Sequence, residues 1–281
     1  MVQNPTDSAA PAASVDGNLR GAVDSHPLWY HTLELGQGVV TPGWFDLRSI
    51  ADSLPWPDVR GKRCLDVGTY DGFLAFELER RGAAEVVATD ISDPSGWDLP
   101  VRTRARAEET IASAAGETTG LGFEIAKRAL DSSVERVEVS IYDLSPENLG
   151  SFDVVCCGSL LLHLRDPVRG LEGIRSVCGG YFLSSETVRL DLGLIHRGRP
   201  VAELKGGDRG QWWIPSTAGH RRLLDAAGFD VVRSFGPYAI PLGTGHPSYG
   251  EPVRPLRDRL LARARMGGTG VPHNALLAKP G

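Results

Sequence analysis

Two acids and two glycines stand close together early in the chain. Asp66, Gly68 and Gly72 lie in Leu65-Asp-Val-Gly-Thr-Tyr-Asp-Gly72, and Asp90 ends the run Glu85-Val-Val-Ala-Thr-Asp90. Glycine lets backbone approach a ligand with no Cβ in the way. An acid closing the second strand of such a unit can accept hydrogen bonds from two ribose hydroxyls. Asp66 sets the pattern apart from a dinucleotide site, because a carboxylate there repels a pyrophosphate and attracts an ammonium group. The ligand chemistry is that of S-adenosylmethionine, a nucleoside joined to an amino acid. Thr69 and Tyr70 complete the turn around the amino-acid part. Taken alone, the two glycines also suit an ordinary tight turn between strand and helix.

Further candidates follow other apolar runs. Tyr142-Asp143 brings a carboxylate to where an adenine amino group can donate to it, the alternative being an Asp that caps the turn Ser145-Pro146-Glu147. Gly158 and Ser159, next after Phe152–Cys157, are assigned to the cofactor side. His163 is a candidate proton acceptor, since an unperturbed imidazole titrates near neutrality; its alternative is a structural histidine bonded to the Asp166 turn. Glu186 is the second candidate base, and a carboxylate at a strand end is often simply solvated. The aromatic loop 207–216, with Trp212 and Trp213, either lines a substrate pocket or packs on the core. No Cys-x-x-Cys pair or histidine cluster occurs, so no metal is expected.

These residues need a scaffold of alternating strands and helices. Strands are expected over Arg63–Val67, Glu85–Thr89, Val134–Ile141, Phe152–Cys157, Gly180–Ser184, Phe229–Ser234 and Asn274–Ala278. Helices are expected over Phe73–Arg81, Phe123–Ala129, Pro167–Val177 and Ser216–Ala227, the last ended by Gly228. The succession predicts an α/β class: a Rossmann-like, seven-stranded, mostly parallel sheet with helices on both faces. Ligands of such sheets bind beyond the carboxyl ends of the strands, which is where every candidate above falls. Residues 1–24, rich in Ala, Ser, Pro, Asn and Asp, are expected to form a disordered tail. Residues 25–60, with Trp29, Tyr30, Trp44 and Phe45, form an N-terminal cap containing a short helix over Leu47–Leu54. The sheet domain spans 61–281, with an inserted segment at about 236–272.

Composition bounds the partners. The 281 residues are 41% hydrophobic and 23% charged, ordinary values for a globular chain. The net charge of −5 offers no general attraction for nucleic acid. Arginines 102, 104 and 106 and those between Arg254 and Arg265 read as solvated faces. The longest apolar runs, such as Val154–Leu162, fall far short of the roughly 20 residues that span a bilayer. No secretory signal is visible, and Cys64, Cys156, Cys157 and Cys178 read as buried free thiols. A cytoplasmic protein is expected. The oligomeric state is left open.

From Trp29 to about Ser216 the chain resembles class I methyltransferases related to the bacterial tRNA wobble-uridine carboxymethyltransferase. The resemblance rests on Trp-Tyr-His-Thr-Leu-Glu-Leu-Gly at 29–36, Thr-Pro-Gly-Trp-Phe-Asp at 41–46 and Leu-Asp-Val-Gly-Thr-Tyr-Asp-Gly at 65–72. It continues through the Leu-x-His-Leu-x-Asp-Pro run ending at Pro167 and Trp-Trp-Ile-Pro-Ser at 212–216. It implies S-adenosylmethionine as cofactor, with Asp66, Gly68 and Gly72 on the methionine side, Asp90 on the ribose, Asp143 on the adenine side and Trp44 closing over it. Tyr70 stands where the family's motif usually has its middle glycine. The tRNA enzyme holds the extra carboxylate of its cofactor with a lysine, a tyrosine and an arginine. Here the tyrosine position is Leu162, the lysine falls near His31, and the arginine has no counterpart. A carboxylate buried without those donors is costly, so plain methyl transfer to a small molecule is expected, in the manner of a tailoring step on a secondary metabolite. A tRNA acceptor and a non-catalytic nucleoside-binding protein are the alternatives.

Overall fold

The computed structural model describes residues 19–101, 104, 119–206, 210–248 and 270–281. Its helices are α1 (Leu19–Ser25), α2 (Phe73–Arg80), α3 (Leu121–Ala129), α4 (Pro146–Leu149), α5 (Pro167–Val177), α6 (Leu190–Ile195) and α7 (Thr217–Ala226). Its strands are β1 (Arg63–Val67), β2 (Glu85–Asp90), β3 (Glu135–Glu138), β4 (Phe152–Cys157), β5 (Cys178–Thr187), β6 (Ala202–Leu204), β7 (Trp213–Pro215), β8 (Phe229–Ile240) and β9 (Val271–Pro280). The main sheet has seven strands in the order β3-β2-β1-β4-β5-β9-β8, while β6 and β7 form a separate ribbon. Neighbours from β3 to β5 pair in parallel. Only β9 is reversed against its neighbours. The sheet is Rossmann-like and mostly parallel, as expected.

Strand order reverses between β1 and β4, where Val67 pairs with Cys157. This is the switch point at which such sheets open a crevice. The turn after β1 and the loop after β4 therefore leave the sheet side by side. Side chains alternate across it. Cys64, Cys156 and Leu183 meet Phe73, Leu78 and Phe123 on one face. Leu65, Cys157 and Phe182 meet Leu171, Ile174 and Leu224 on the other. The four cysteines are free and buried.

Local chemistry sets the helix ends. Asp166 caps α5 by accepting from Arg169 N–H at 3.1 Å, with Pro167 in the first helical position. Ser216 caps α7 by accepting from Gly219 N–H at 3.0 Å, so the helix begins one residue later than its pattern suggested.

Several boundaries differ from the sequence reading. The third strand stops at Glu138 because Ser140 turns the chain into a short 3-10 helix, Ile141–Asp143, accepting from Tyr142 N–H at 3.3 Å. The fifth runs on to Thr187 because β9 supplies backbone partners through His273. The sixth runs on to Ile240, with irregularities between Val231 and Arg233 and between Phe235 and Tyr238. Leu47–Leu54 is a turn leading into a 3-10 helix at Ala51–Ser53. Within the segment read as tail, residues 19–24 belong to α1, where Val23 is buried and its carbonyl accepts from Trp29 Nε1 at 3.0 Å. Residues 1–18, Arg102, Arg106, residues 207–209 and the Arg254–Arg265 stretch lie outside the described residues. Among those described, no helix is long and apolar enough to cross a membrane.

Candidate functional site

At the crevice the turn after β1 is left-handed at three residues, Gly68 (φ +75°), Tyr70 (φ +48°) and Gly72 (φ +93°). Such values are free for glycine and strained for tyrosine. What holds Tyr70 there is Asp90, whose Oδ2 accepts from Tyr70 N–H at 2.6 Å while Oδ1 accepts from Ile91 N–H at 2.7 Å. Each oxygen has spent one lone pair, and Asp90 stays half-exposed, with acceptor capacity left for hydroxyl donors. The glycines also serve packing. A Cβ on Gly68 would meet Leu160 at 2.8 Å, and one on Gly72 would meet Phe76 at 2.4 Å and Phe123 at 2.8 Å. Gly72 therefore faces the core beneath the turn.

Asp66 is buried at the end of β1, on the face beneath α2, and Thr69 is buried beside it. Asp71 has a different task. Its Oδ2 accepts from Tyr30 N–H at 2.6 Å and His31 N–H at 3.0 Å, which pins the N-terminal cap to the turn. The cap is gripped from the other side as well. Trp44 C=O accepts from Gly243 N–H at 2.7 Å, and Pro241 C=O accepts from Asp46 N–H at 3.0 Å. A Cβ on Gly243 would lie 2.2 Å from the Gly43 carbonyl oxygen, so only glycine permits this approach.

The cap brings aromatic rings over the crevice. Tyr30 lies 5.0 Å from Phe45 and 5.3 Å from Tyr70, and His246 lies 5.7 Å from Trp44 and 5.6 Å from Phe45. All five are half-buried, whereas core aromatics such as Trp29 and Phe123 are sealed. In the loop after β4, Gly158, Ser159 and Leu160 are also half-exposed.

Glu186, near the end of β5, is 1% exposed, so the solvated alternative does not hold. Its Oε1 accepts from Leu160 N–H at 3.2 Å and Leu161 N–H at 3.3 Å, and its Oε2 has no hydrogen-bond partner among the described residues. Next to it, the Ser185 and Tyr238 hydroxyls meet at 2.5 Å. His273 Nδ1–H donates to Val271 C=O at 2.9 Å, which makes Nε2 an acceptor for the hydroxyl of Ser159 at 2.8 Å or Thr187 at 3.1 Å. Ser159 is thereby tied to the β5–β9 pair. His163 Nδ1–H donates to Gly210 C=O at 3.0 Å, not to the Asp166 turn, and Nε2 keeps its lone pair.

Tyr142 and Asp143 turn outward. The Tyr142 hydroxyl donates to Asp98 Oδ2 at 2.8 Å, and Asp143 is exposed. The turn at 145–147 is closed by Ser145 N–H on Asn148 Oδ1 at 3.1 Å, with no part for the Asp143 carboxylate. Tyr142 lines a cavity of about 650 Å³ with Trp97, Arg104, Arg165 and Arg169.

The mouth is acidic and short of positive charge. Burial pushes the Asp66 and Asp71 carboxyls up to about 7 and Glu186 up to about 8, and it raises Asp90 as well. None of the four forms an ion pair with a described residue. Burial drives His31 down to about 3 and lowers His163, so both imidazoles are neutral. Such a site fits a ligand that brings its own positive charge and a vicinal diol. Among the described residues no group of three or more His, Cys, Asp or Glu is arranged to hold a metal ion.

Sequence reasoning missed Asp71, Tyr30, Tyr238 and His273. Asp71 carried a signal, its place inside the glycine turn. Tyr30 reads as a cap aromatic, but its bond to Asp71 is not visible in the chain; Tyr238 and His273 carried no signal, since what marks them is contact with distant strands.

A family model described as a methyltransferase domain matches residues 46–234. The chain is 32% identical over 131 residues to the ubiquinone biosynthesis O-methyltransferase of Neisseria meningitidis, covering 46% of this chain and 45% of that one. It is 26% identical over 196 residues to the tRNA U34 carboxymethyltransferase of Pseudomonas fluorescens, covering 64% and 49%. The chain thus spans about half the length of these curated relatives. A solved complex between the Haloferax volcanii Trm112 methyltransferase activator and a methyltransferase shares the fold, at 16% identity and a TM-score of 0.51, with 83% of this chain and 87% of that chain covered.

Proposed function

The chain belongs to the methyltransferase-domain family, with S-adenosylmethionine as its cofactor, and on that premise we propose that it methylates a small molecule. The observation that carries this reading is Glu186, a sealed carboxylate with an unfilled oxygen beneath half-buried rings. A compact acceptor fits that setting. A polyanion entering it would find no described Lys or Arg paired with Asp66, Asp71, Asp90 or Glu186.

In this reading Asp90 accepts from the ribose hydroxyls, Asp66 lies toward the ammonium end, and the turn at 68–72 wraps the amino-acid part. Gly158 and Ser159 border the cofactor opposite that turn, and Trp44 with its neighbours closes the recess against water. S-adenosylmethionine, when bound, supplies an electrophilic methyl group, and the protein's share is alignment of the acceptor with it. Glu186 is the proton acceptor in contact with that acceptor molecule. His163, whose Nε2 is unprotonated, is the second candidate.

An extra carboxylate on the cofactor is not supported. Leu162 is buried and apolar, and His31 carries no charge at neutral pH. A tRNA acceptor is the second reading, favoured by the arginines of the 650 Å³ cavity. The test supplies methyl-labelled cofactor with either bulk tRNA or a low-molecular-weight cell filtrate. Label in the filtrate is expected. Label in tRNA alone would sink the small-molecule reading.

A further inference from the structure

The cap, the turn after β1 and the end of β5 carry chemistry that would select among small acceptors. Phe45 and Tyr70 stand 5.0 and 5.3 Å from Tyr30, and His246 stands 5.6 Å from Phe45, each ring partly open to solvent. Glu186 is 1% exposed, with Oε1 held by two backbone N–H groups and Oε2 unpartnered. Ser185, the residue before it, meets the Tyr238 hydroxyl at 2.5 Å, and Leu160, whose N–H it accepts, would lie 2.8 Å from a Cβ on Gly68, two residues before Tyr70. After burial itself, the Glu186 charge is the next cause that raises the Tyr30 phenol. Aromatic faces attract cations, and a buried carboxylate left without a counter-charge is costly. No described Lys or Arg pairs with Glu186, so in the free protein the carboxyl keeps its proton at neutral pH, and it stands there as a carboxylate only when a ligand brings the complementary charge.

We propose that the methyl acceptor is an amine, bound as its ammonium form between these rings and Glu186, and that Glu186 then takes its proton. The proposal rests on the methyl-transfer reading above. In the step an N–H bond of the ammonium breaks, the proton passes to Glu186 Oε2, and the electron pair stays on nitrogen as the nucleophile. The charges balance, a carboxylate and an ammonium becoming a carboxylic acid and a neutral amine. An alkylammonium ordinarily titrates near ~10, and burial between aromatic rings brings it down. Burial brings the carboxyl up to about 8, so the two proton affinities converge. An alcohol or phenol offers the rings no cation and leaves the carboxylate without a counter-charge.

The test is calorimetry on protein saturated with S-adenosylhomocysteine, whose own titration is read first. Amines are compared with alcohols of matched skeleton: benzylamine with benzyl alcohol, phenethylamine with phenethyl alcohol, tryptamine with tryptophol. In at least one pair the amine is expected to bind tenfold or more tightly than the alcohol. Glu186→Gln should remove that preference while binding S-adenosylhomocysteine like the wild type. Tyr30→Leu, which keeps the carboxylate, should weaken the amine more than the alcohol and serves if Glu186→Gln does not fold. No preference in any pair, or a preference that survives both substitutions, would overturn the amine assignment and leave methyl transfer intact. Failure of the wild type to bind S-adenosylhomocysteine would overturn the transfer reading itself, and the proposal with it.

Discussion

Replacing Glu186 by Gln should make the cofactor-free protein more stable, by an amount that grows with pH. In the unfolded chain this carboxyl ionises near 4.5, and in the fold burial raises it to about 8. Between those values the unfolded state releases a proton that the folded state keeps, so stability is fully present below the lower value and is lost as pH rises through the upper one. At 1.36 kcal/mol per pKa unit the loss is on the order of 3 kcal/mol at pH 7 and levels off above pH 8. Gln keeps an oxygen for the Leu160 and Leu161 N–H groups and has nothing to ionise. Its amide nitrogen, taking the place of Oε2, costs about 1 kcal/mol if it finds no acceptor. That cost displaces the two stability curves without altering how they diverge. Asp66 and Asp71 titrate in both proteins and cancel in the difference. Urea unfolding from pH 5 to 8.5, without cofactor, should show the variant gaining about 1.4 kcal/mol on the wild type per pH unit up to about pH 8. Parallel curves would mean that Glu186 ionises normally in the fold, and the case for a sealed, uncompensated carboxylate would fail.

Three further outcomes are expected. S-adenosylmethionine or S-adenosylhomocysteine should raise the melting temperature while NAD does not; equal stabilisation by NAD would contradict the site's acidic turn. Asp90→Ala should weaken S-adenosylmethionine binding about tenfold or more in calorimetry, and unchanged affinity would remove Asp90 from the ribose. Asp71→Ala should strip the acceptor from two cap amides, cost about 2 kcal/mol or more in urea unfolding, and speed hydrogen exchange at Tyr30 and His31. Exchange at the wild-type rate there would show that the cap is held by other means.

The strands and helices whose ends coincide with a change in local chemistry were legible in the chain. Phe152–Cys157 and Pro167–Val177 match residue for residue, one an apolar run and the other bounded by an Asp-Pro cap. Where a strand outlasts its apolar run, the pattern fell short. Ser185 and Glu186 are polar and buried, and they remain in β5 because β9 completes their ladder. The glycine turn and Asp90 were legible because the turn chemistry is local. The Ser159–His273 contact joins residues 114 positions apart, and the Tyr30–Asp71 pin joins residues 41 apart. Pairings of that range exist only once the sheet is assembled, so no local pattern announces them.

The cap's double attachment also decides what can be exchanged between relatives. One wall of the recess is written at the start of the chain, in Tyr30, Trp44 and Phe45, and its backing is written after β8, in Gly243 and His246. The glycine that lets these two stretches of backbone touch belongs to the later one. They therefore form a single structural part despite lying nearly two hundred residues apart in sequence. A chimera that swaps acceptor preference by moving the cap alone would set a foreign wall against the wrong backing. Moving residues 26–46 together with 241–246 transfers the whole part.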